Sequence, residues 1–480
     1  MKRILALTLL VLPLFAQQTP PPPAAPRETK VPQPVGKTLD NGLRVIVVPK
    51  PGIPLVAARL MIKAGAAADP KGRDGLAQLT ASVLTKGTKT RTAEEIARGV
   101  EALGATLSAE AGWDSTSINI SVMSSNLGKT MEYVADVARN ATFAKAELDR
   151  ERARTVDALQ VTLEQPDAVA AIVASRLVFG EAPYGHNLEG LPVTLAKITR
   201  ADLLKFHRTY YRPDNAVLVF AGDIQPDDAF SLATQRFGSW KKGPSPLPSP
   251  HFAGRGDSVG PRVVVIDMPE AGNSAVVIAG RGIRRTDPAF SQAIVTNMVL
   301  GGGYSSRLNQ KIRIERGLSY GADSTFEARA EVGPFLATSQ TKHVSAADLV
   351  EIMRSEIDRL AATDVPPTEL VPRKAAVIGS FAFSLETTSG VVGRVSALAL
   401  YGQPLSEINR YVPNMQAVTA EDVRKFAASH LASKDFSVVI AGNAKEFIEP
   451  LRKQFSEVEV ISLSDLDLSS PTLRVRMKKE

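Results

Sequence analysis

The chain of 480 residues contains no cysteine and only five histidines, at positions 186, 207, 251, 343 and 430. The missing thiols exclude disulfides, thiolate zinc sites, iron–sulfur clusters, a cysteine nucleophile and a lipoprotein anchor in one step. No two histidines stand four residues apart, the spacing that sets both on one helical face around a metal. No Gly-x-Ser-x-Gly elbow or other serine-hydrolase signature occurs. What remains is the segment GGGYSSRLNQKIRIERGLSY at 301–320. Its run of Gly301, Gly302 and Gly303 invites a phosphate-loop reading, but the Gly-Lys-Ser/Thr ending is missing. A sharp helix entry with close backbone approach, facing a cleft, suits these glycines better. Arg313 and Tyr320 lie seven residues apart. Periodicity alone reads them as a surface charge pairing with Glu315 or Glu327 and as a strand-edge aromatic. His186 reads as a loop residue that packs locally, and Glu164 and Asp167 as solvated helix-end charges.

The elements that must position these groups follow from composition and pattern. Residues 1–16, MKRILALTLLVLPLFA, carry two cations, an apolar run and a small residue, the pattern of a signal peptide too short to span a bilayer. The proline-rich stretch 17–36 is expected to be an extended tether. Residues 241–260, KKGPSPLPSPHFAGRGDSVG, read as a linker between an N-terminal unit at 37–240 and a C-terminal unit at 261–480. Export is expected, to a periplasm or the outside medium, with no membrane anchor after signal removal. Lys and Arg total 57 against 50 Asp and Glu, a net +7. A surplus that small, with no dense basic run, gives no reason to invoke nucleic acid.

The two units are one architecture used twice. ITRADLLKFHRTYYRPDNAVLVFAGD at 198–223 aligns without a gap on VTAEDVRKFAASHLASKDFSVVIAGN at 418–443. In both, a threonine (Thr199, Thr419) caps a helix with an acid three residues on (Asp202, Asp422), and a β-branched strand follows. RVIVVP at 44–49 likewise matches RVVVID at 262–267. In the first unit the patterns predict hairpin strands at 37–49 and 55–64, turning at Asp40-Asn41-Gly42, and strands over 105–122. They place helices near 74–86, 92–103, 127–139, 146–164, 166–178 and 199–210, and a closing strand at 216–222. In the second, Ser305 or Ser306 is expected to cap a helix running to Arg316. Gly317 would terminate it, with a strand from Leu318 to Thr325. Short turns mixed with long helices predict an α+β fold with largely antiparallel sheets.

The strand ending MIKAGAAAD, the helix and closing turn in GLAQLTASVLTKGT at 75–88, the two-fold repeat and the 301–320 segment resemble the insulinase (pitrilysin) family of zinc peptidases. The likeness spans nearly the whole mature chain. It implies two homologous α+β units of the processing-peptidase type closing around a chamber. The family's first-unit helix carries His-x-x-Glu-His, two zinc ligands and the base that activates a zinc-bound water. Here those positions are Gln78, Ala81 and Ser82, and the family's third ligand falls at about Ala158, beside Asp157. The resemblance therefore implies no zinc on this chain. It also implies roles for Arg313 and Tyr320. A tyrosine hydroxyl donates to the oxyanion of a tetrahedral intermediate, and a fixed guanidinium holds a substrate carbonyl. Gly301, Gly302 and Gly303 would line the substrate path. The implied function is the non-metal subunit of an exported heterodimeric peptidase, inactive alone, with zinc on a homologous partner and peptides as substrates. The alternative is an inactive structural or peptide-binding homologue.

Overall fold

The computed structural model describes residues 31–243 and 260–475. The expected signal segment, most of the tether and most of the linker lie outside the described residues. The first half contains β1 (Val35–Thr38), β2 (Arg44–Pro49), β3 (Leu55–Ile62), α1 (Leu76–Leu84), α2 (Ala93–Ala102), β4 (Thr106–Ala111) and β5 (Thr116–Met123). It continues with α3 (Leu127–Asn140), α4 (Lys145–Leu163), α5 (Pro166–Phe179), α6 (Pro192–Leu195), α7 (Arg200–Tyr210), β6 (Ala216–Gly222) and α8 (Pro226–Phe237). The second half contains β7 (Val263–Asp267), β8 (Ser274–Arg281), α9 (Phe290–Leu300), α10 (Arg307–Asn309), β9 (Ala322–Phe326), β10 (Pro334–Thr341) and α11 (Ala346–Ala362). There follow α12 (Pro367–Ser384), α13 (Thr388–Leu400), α14 (Glu407–Ala417), α15 (Ala420–His430), β11 (Ser437–Gly442), α16 (Ile448–Gln454) and β12 (Glu459–Ser462).

Most of the predicted elements are present within a few residues, and both capping boxes form. The Thr199 and Thr419 hydroxyls accept from the amides of Asp202 and Asp422. Each acid in turn accepts from its threonine's amide, at 2.8 and 2.9 Å. Two expectations for the first half fail. The tether ends before residue 36: Val31 is buried, its amide and carbonyl both bond the Asn409 side chain, and β1 begins at Val35. Proline removes only its own N–H, so the residues around Pro32 and Pro34 remain free to pair. The Asp40-Asn41-Gly42 turn folds β1 onto β2, but β2 does not pair with β3; β6 lies between them. β6 is apolar on both faces, and burying both requires the sheet centre.

The sheet orders show the duplication. The first is β1-β2-β6-β3-β5-β4 and the second β12-β7-β11-β8-β10-β9. Replacing β2, β6, β3, β5 and β4 by β7, β11, β8, β10 and β9 makes five positions coincide; the sixth differs, β1 lying antiparallel to β2 and β12 parallel to β7. Antiparallel pairs dominate both sheets. The parallel ones are β2 with β6 in the first, and β7 with β11 and β12 in the second.

Each sheet has one face on its own helices and one on a helix from the other half. Leu218 and Phe220 of β6 enter the first half's main core, while Val217, Val219 and Ala221 face Val391, Val392, Val395 and Leu398 of α13. Reciprocally, Val439 and Ala441 of β11 face Val169, Val173 and Leu177 of α5. α5 and α13 occupy matching places in the repeat, so the exchange is symmetric. A polar clasp adds to it. Asp114, in the β4–β5 turn, accepts from the Tyr184 hydroxyl (2.5 Å), the Tyr401 hydroxyl (3.1 Å) and the Ala330 amide (3.0 Å). Burial, with the Asp114 charge second, raises both phenols above their ordinary range. The Arg329 guanidinium lies 4.3 Å from the Trp113 ring and 4.7 Å from that of Tyr184. Among the described residues no single helix is long and apolar enough to cross a membrane.

Leu177→Ala truncates a buried α5 side chain against the second sheet and should cost about 2–5 kcal/mol. Both tryptophans, Trp113 and Trp240, lie in the first half. Their fluorescence should nevertheless report the same denaturation midpoint as far-UV circular dichroism; separate midpoints would mean the halves unfold independently. Half-buried His207 meets the Ala138 carbonyl at 2.9 Å and lies under Tyr211, and desolvation pushes its pKa down to about 4. A histidine held neutral in the fold must charge on unfolding in acid. Stability should therefore fall by up to about 3 kcal/mol as pH drops from about 6.5 to 4. Denaturant titrations across that window should show a shallower slope for His207→Gln.

Candidate functional site

α1 is the helix on which a zinc motif would sit. Its first turn is held by Asp69, whose carboxylate accepts from the Gly75 and Ala77 amides at 2.8 Å each. Gln78, Ala81 and Ser82 follow at the i, i+3, i+4 spacing, and each is already committed. The Gln78 side-chain oxygen accepts from the Ala111 amide of edge strand β4 at 2.9 Å. Ala81 is fully buried. The Ser82 hydroxyl donates back to the Gln78 carbonyl at 3.0 Å. Across from them on α4, Asp157 and Ala158 are exposed. The acid that α4 does bury is Glu151, spent on Lys86 at 3.3 Å and Arg154 at 2.7 Å. Among the described residues no three histidine or acidic side chains converge as metal ligands. An amide oxygen bound to backbone, a methyl group and a neutral hydroxyl do not fit a zinc ion.

The second half builds its site differently. The helix expected from Ser305 or Ser306 to Arg316 is a single α-turn, α10, continued as a π-helical turn over 310–315. Neither serine caps it through its side chain. Ser306 meets the Asn309 side-chain amide instead, and Ser305 takes Arg373. The Asn309 amide is held by β9, donating to the Ala322 carbonyl (2.8 Å) and accepting from its amide (3.1 Å). It thereby stands where a neighbouring strand would. Gly317, with φ +60°, ends the turn as expected, and Leu318 reaches back to the Ile312 carbonyl at 2.9 Å. The strand starts at Ala322, four residues later than its composition suggests, because 318–321 is held by side chains instead of a ladder. Thr341 donates to the Leu318 carbonyl, and Ser319 and Ser339 donate to that of Gly321.

Within this fixed backbone the structure brings Arg313 and Tyr320 together. Arg313 Nη1 donates to the Tyr320 carbonyl at 2.8 Å, and its guanidinium lies 5.5 Å from the Tyr320 ring and 4.8 Å from that of Tyr304. Neither suggested acid takes it: Glu315 pairs with Lys311 and Glu327 with Arg329. The Tyr320 side chain is 92% exposed. It stands at a cleft of about 820 Å³ between the second sheet and α5, whose Asp167 and Ala171 form part of the wall. The phenol is thus an unspent donor on a rigid mount beside a positioned guanidinium, the arrangement needed to stabilise a developing oxyanion. Gly301, Gly302 and Gly303 lie behind this surface, at the junction of α9 and β9. A side chain at Gly301 would come within 2.4 Å of the Ser324 amide. Gly302 packs on Asn297 and Met298, and Gly303 on Met298.

Tyr304 and Asn309 were not singled out by type or spacing; only their place inside the 301–320 segment marks them. The contribution of α5 from the other half has no local signal. His186 packs locally, as expected, with its ring nitrogens against the carbonyls of Ala66 and Asn187.

Comparison with known proteins bears on the family and the fold. Residues 44–189 match the family model described as insulinase (peptidase family M16), and residues 197–376 match that of the peptidase M16 inactive domain. An uncharacterized zinc protease of Mycobacterium bovis is 27% identical over 434 residues, 89% of this chain and 96% of that protein. The uncharacterized zinc protease YmxG of Bacillus subtilis is 24% identical over 406 residues, 84% and 97% of the two chains. A crystal structure of a peptidase M16 inactive domain from Pseudomonas fluorescens superposes with TM-score 0.79 at 26% identity, covering 85% of this chain and 98% of that one. A protease from Helicobacter pylori shares the fold, with TM-score 0.80 at 22% identity over 86% and 100% of the chains. The family models together cover more than half of the sequence and fall one on each side of α6, and the chain belongs to the insulinase family, peptidase family M16.

Proposed function

We propose that this chain is the non-metal subunit of an exported, heterodimeric zinc peptidase that degrades peptides. The observation that carries the reading is the contrast between the two halves. Every motif position on α1 is consumed by packing, whereas Tyr320 presents a free hydroxyl on a fixed mount with Arg313 bonded beneath it. A homologous partner would supply zinc, the water it activates and the base. Tyr320 donates to the oxyanion of the tetrahedral intermediate, and Arg313 holds the adjoining carbonyl and keeps the Tyr320 backbone in place. The apolar run at 4–15 directs the chain out of the cytoplasm, to a periplasm or the medium. A second reading, a peptide-binding homologue without catalysis, draws support from the Gln78–Ala111 bond, which stabilises the altered helix as a structural element.

Mixing the chain with a zinc-bearing M16 homologue and a fluorogenic peptide separates the two. The chain alone should hold no stoichiometric zinc by metal analysis and show no turnover, and the mixture should turn over. Tyr320→Phe, which removes one oxyanion donor, should lower kcat/KM of the mixture by about 10²-fold or more. Turnover unchanged by this variant rules out the Arg313/Tyr320 role. Peptide binding without turnover in any pairing favours the second reading.

A further inference from the structure

Arg313 is half-buried, yet only one nitrogen of its guanidinium is spent. Nη1 donates to the Tyr320 carbonyl at 2.8 Å, whereas Nε and Nη2 have no hydrogen-bond partner among the described residues and stay open to solvent. The rings of Tyr304 and Tyr320 lie 4.8 and 5.5 Å from the group, and both tyrosines are exposed. The nearest acid in sequence, Glu315, is taken by Lys311 at 2.6 Å. Arg316, three residues on, is exposed and has no ion pair among the described residues either. The turn therefore carries two unpaired positive charges. The cleft that Tyr320 borders has the opposite balance. Asp167 and Asp323 line it without an ion pair among the described residues, against the single cation Lys342. An anionic group on a ligand in this cleft is repelled by the lining acids and drawn to the turn.

We propose that the open edge of Arg313 binds a carboxylate of the peptide occupying the Tyr320 cleft. Nε and Nη2 form the side-on edge of the guanidinium, two parallel N–H groups at the spacing of two carboxylate oxygens. A lone carbonyl oxygen would use one of these donors and leave the charge uncompensated. The bond through Nη1 and the neighbouring rings already hold the group, so little side-chain freedom is lost when the carboxylate docks. The inference rests on the function proposed above in taking the ligand to be a peptide, and the carbonyl assigned there to Arg313 becomes one oxygen of the carboxylate. A peptide offers this chemistry at its C terminus or on an Asp or Glu side chain, and the test separates the two sources.

The test is fluorescence anisotropy of the whole chain at about pH 7 with three peptides of one uncharged sequence, each carrying a neutral dye. One ends in a free carboxylate, one in a carboxamide, and one in a carboxamide with glutamate as its last residue. A carboxylate form should bind about tenfold more tightly than the neutral amide: the first if the C terminus is held, the third if a side chain is. Arg313→Gln should erase this preference, and Arg313→Lys, which keeps the charge without the planar edge, most of it. Arg316→Gln, an equal loss of charge at an exposed neighbour, should leave it in place. No saturable binding, equal affinities for all three peptides, or a preference that Arg316→Gln lowers as much as the Arg313 variants do would each overturn the proposal. Arg313→Lys decides the matter if Arg313→Gln does not fold. The assay with a zinc-bearing homologue is read separately. Tyr320-dependent turnover of the amide peptide, with no carboxylate preference in binding, overturns this inference and leaves the proposed function standing. A carboxylate preference without turnover in any pairing supports the binding site and removes the catalytic role.

Discussion

Each half builds a sheet whose central strand is apolar on both faces, and its own helices cover only one of them. The second face is closed by a helix that the other half donates: α13 lies on β3 and β6, and α5 on β8 and β11. Each large apolar side chain so buried contributes about 1.5–3 kcal/mol, and neither half can make these contacts alone. The exchange, more than the linker, therefore joins the halves. It also fixes the cleft, because α5 brings Asp167 and Ala171 of the first half to the surface from which Tyr320 projects. The Asp114 clasp closes the same junction from the β4–β5 turn, with donors from both halves on one carboxylate.

The equivalent sheet edges of the two halves have been put to different uses. At β9, the Asn309 side chain meets both the amide and the carbonyl of Ala322, and Gly301 accepts from Ser324, so the edge is sealed by the segment that follows α9. At β4, one amide, that of Ala111, is met by Gln78. A histidine at position 78 would direct a ring nitrogen toward a metal; glutamine, with an acceptor at the end of a flexible stem, ties helix to strand. α1 carries no charged side chain, and Gln78 and Ser82 are each hydrogen-bonded while Ala81 is small enough to bury.

Arg313 shows the opposite treatment. A π turn widens the helix at the residues that carry it, a feature concentrated at functional sites. Its guanidinium is positioned by one hydrogen bond and two aromatic rings and by no carboxylate among the described residues. A carboxylate there would neutralise its charge.

Local pattern was enough to determine a good part of this protein. The capping boxes at Thr199 and Thr419, the strand at 216–222, most helices and the two-fold repeat were legible because each depends on neighbours within a few residues. Gln78, Ala81 and Ser82 were legible as the loss of a metal site, since the chemistry of a ligand resides in its own side chain. Strand order was not: which strand flanks β2 depends on the apolar character of β6 at the far end of the unit. Nor was the start of β9, where Thr341, Ser339 and Asn309 replace a ladder with side-chain bonds from distant positions. The sequence by itself determined what the chain lacks and where its helices cap. Only the tertiary structure decided that each half covers the other's sheet and that Tyr320 stands free while Gln78 does not, because burial is a property of the whole chain and no local pattern records which surface will meet which.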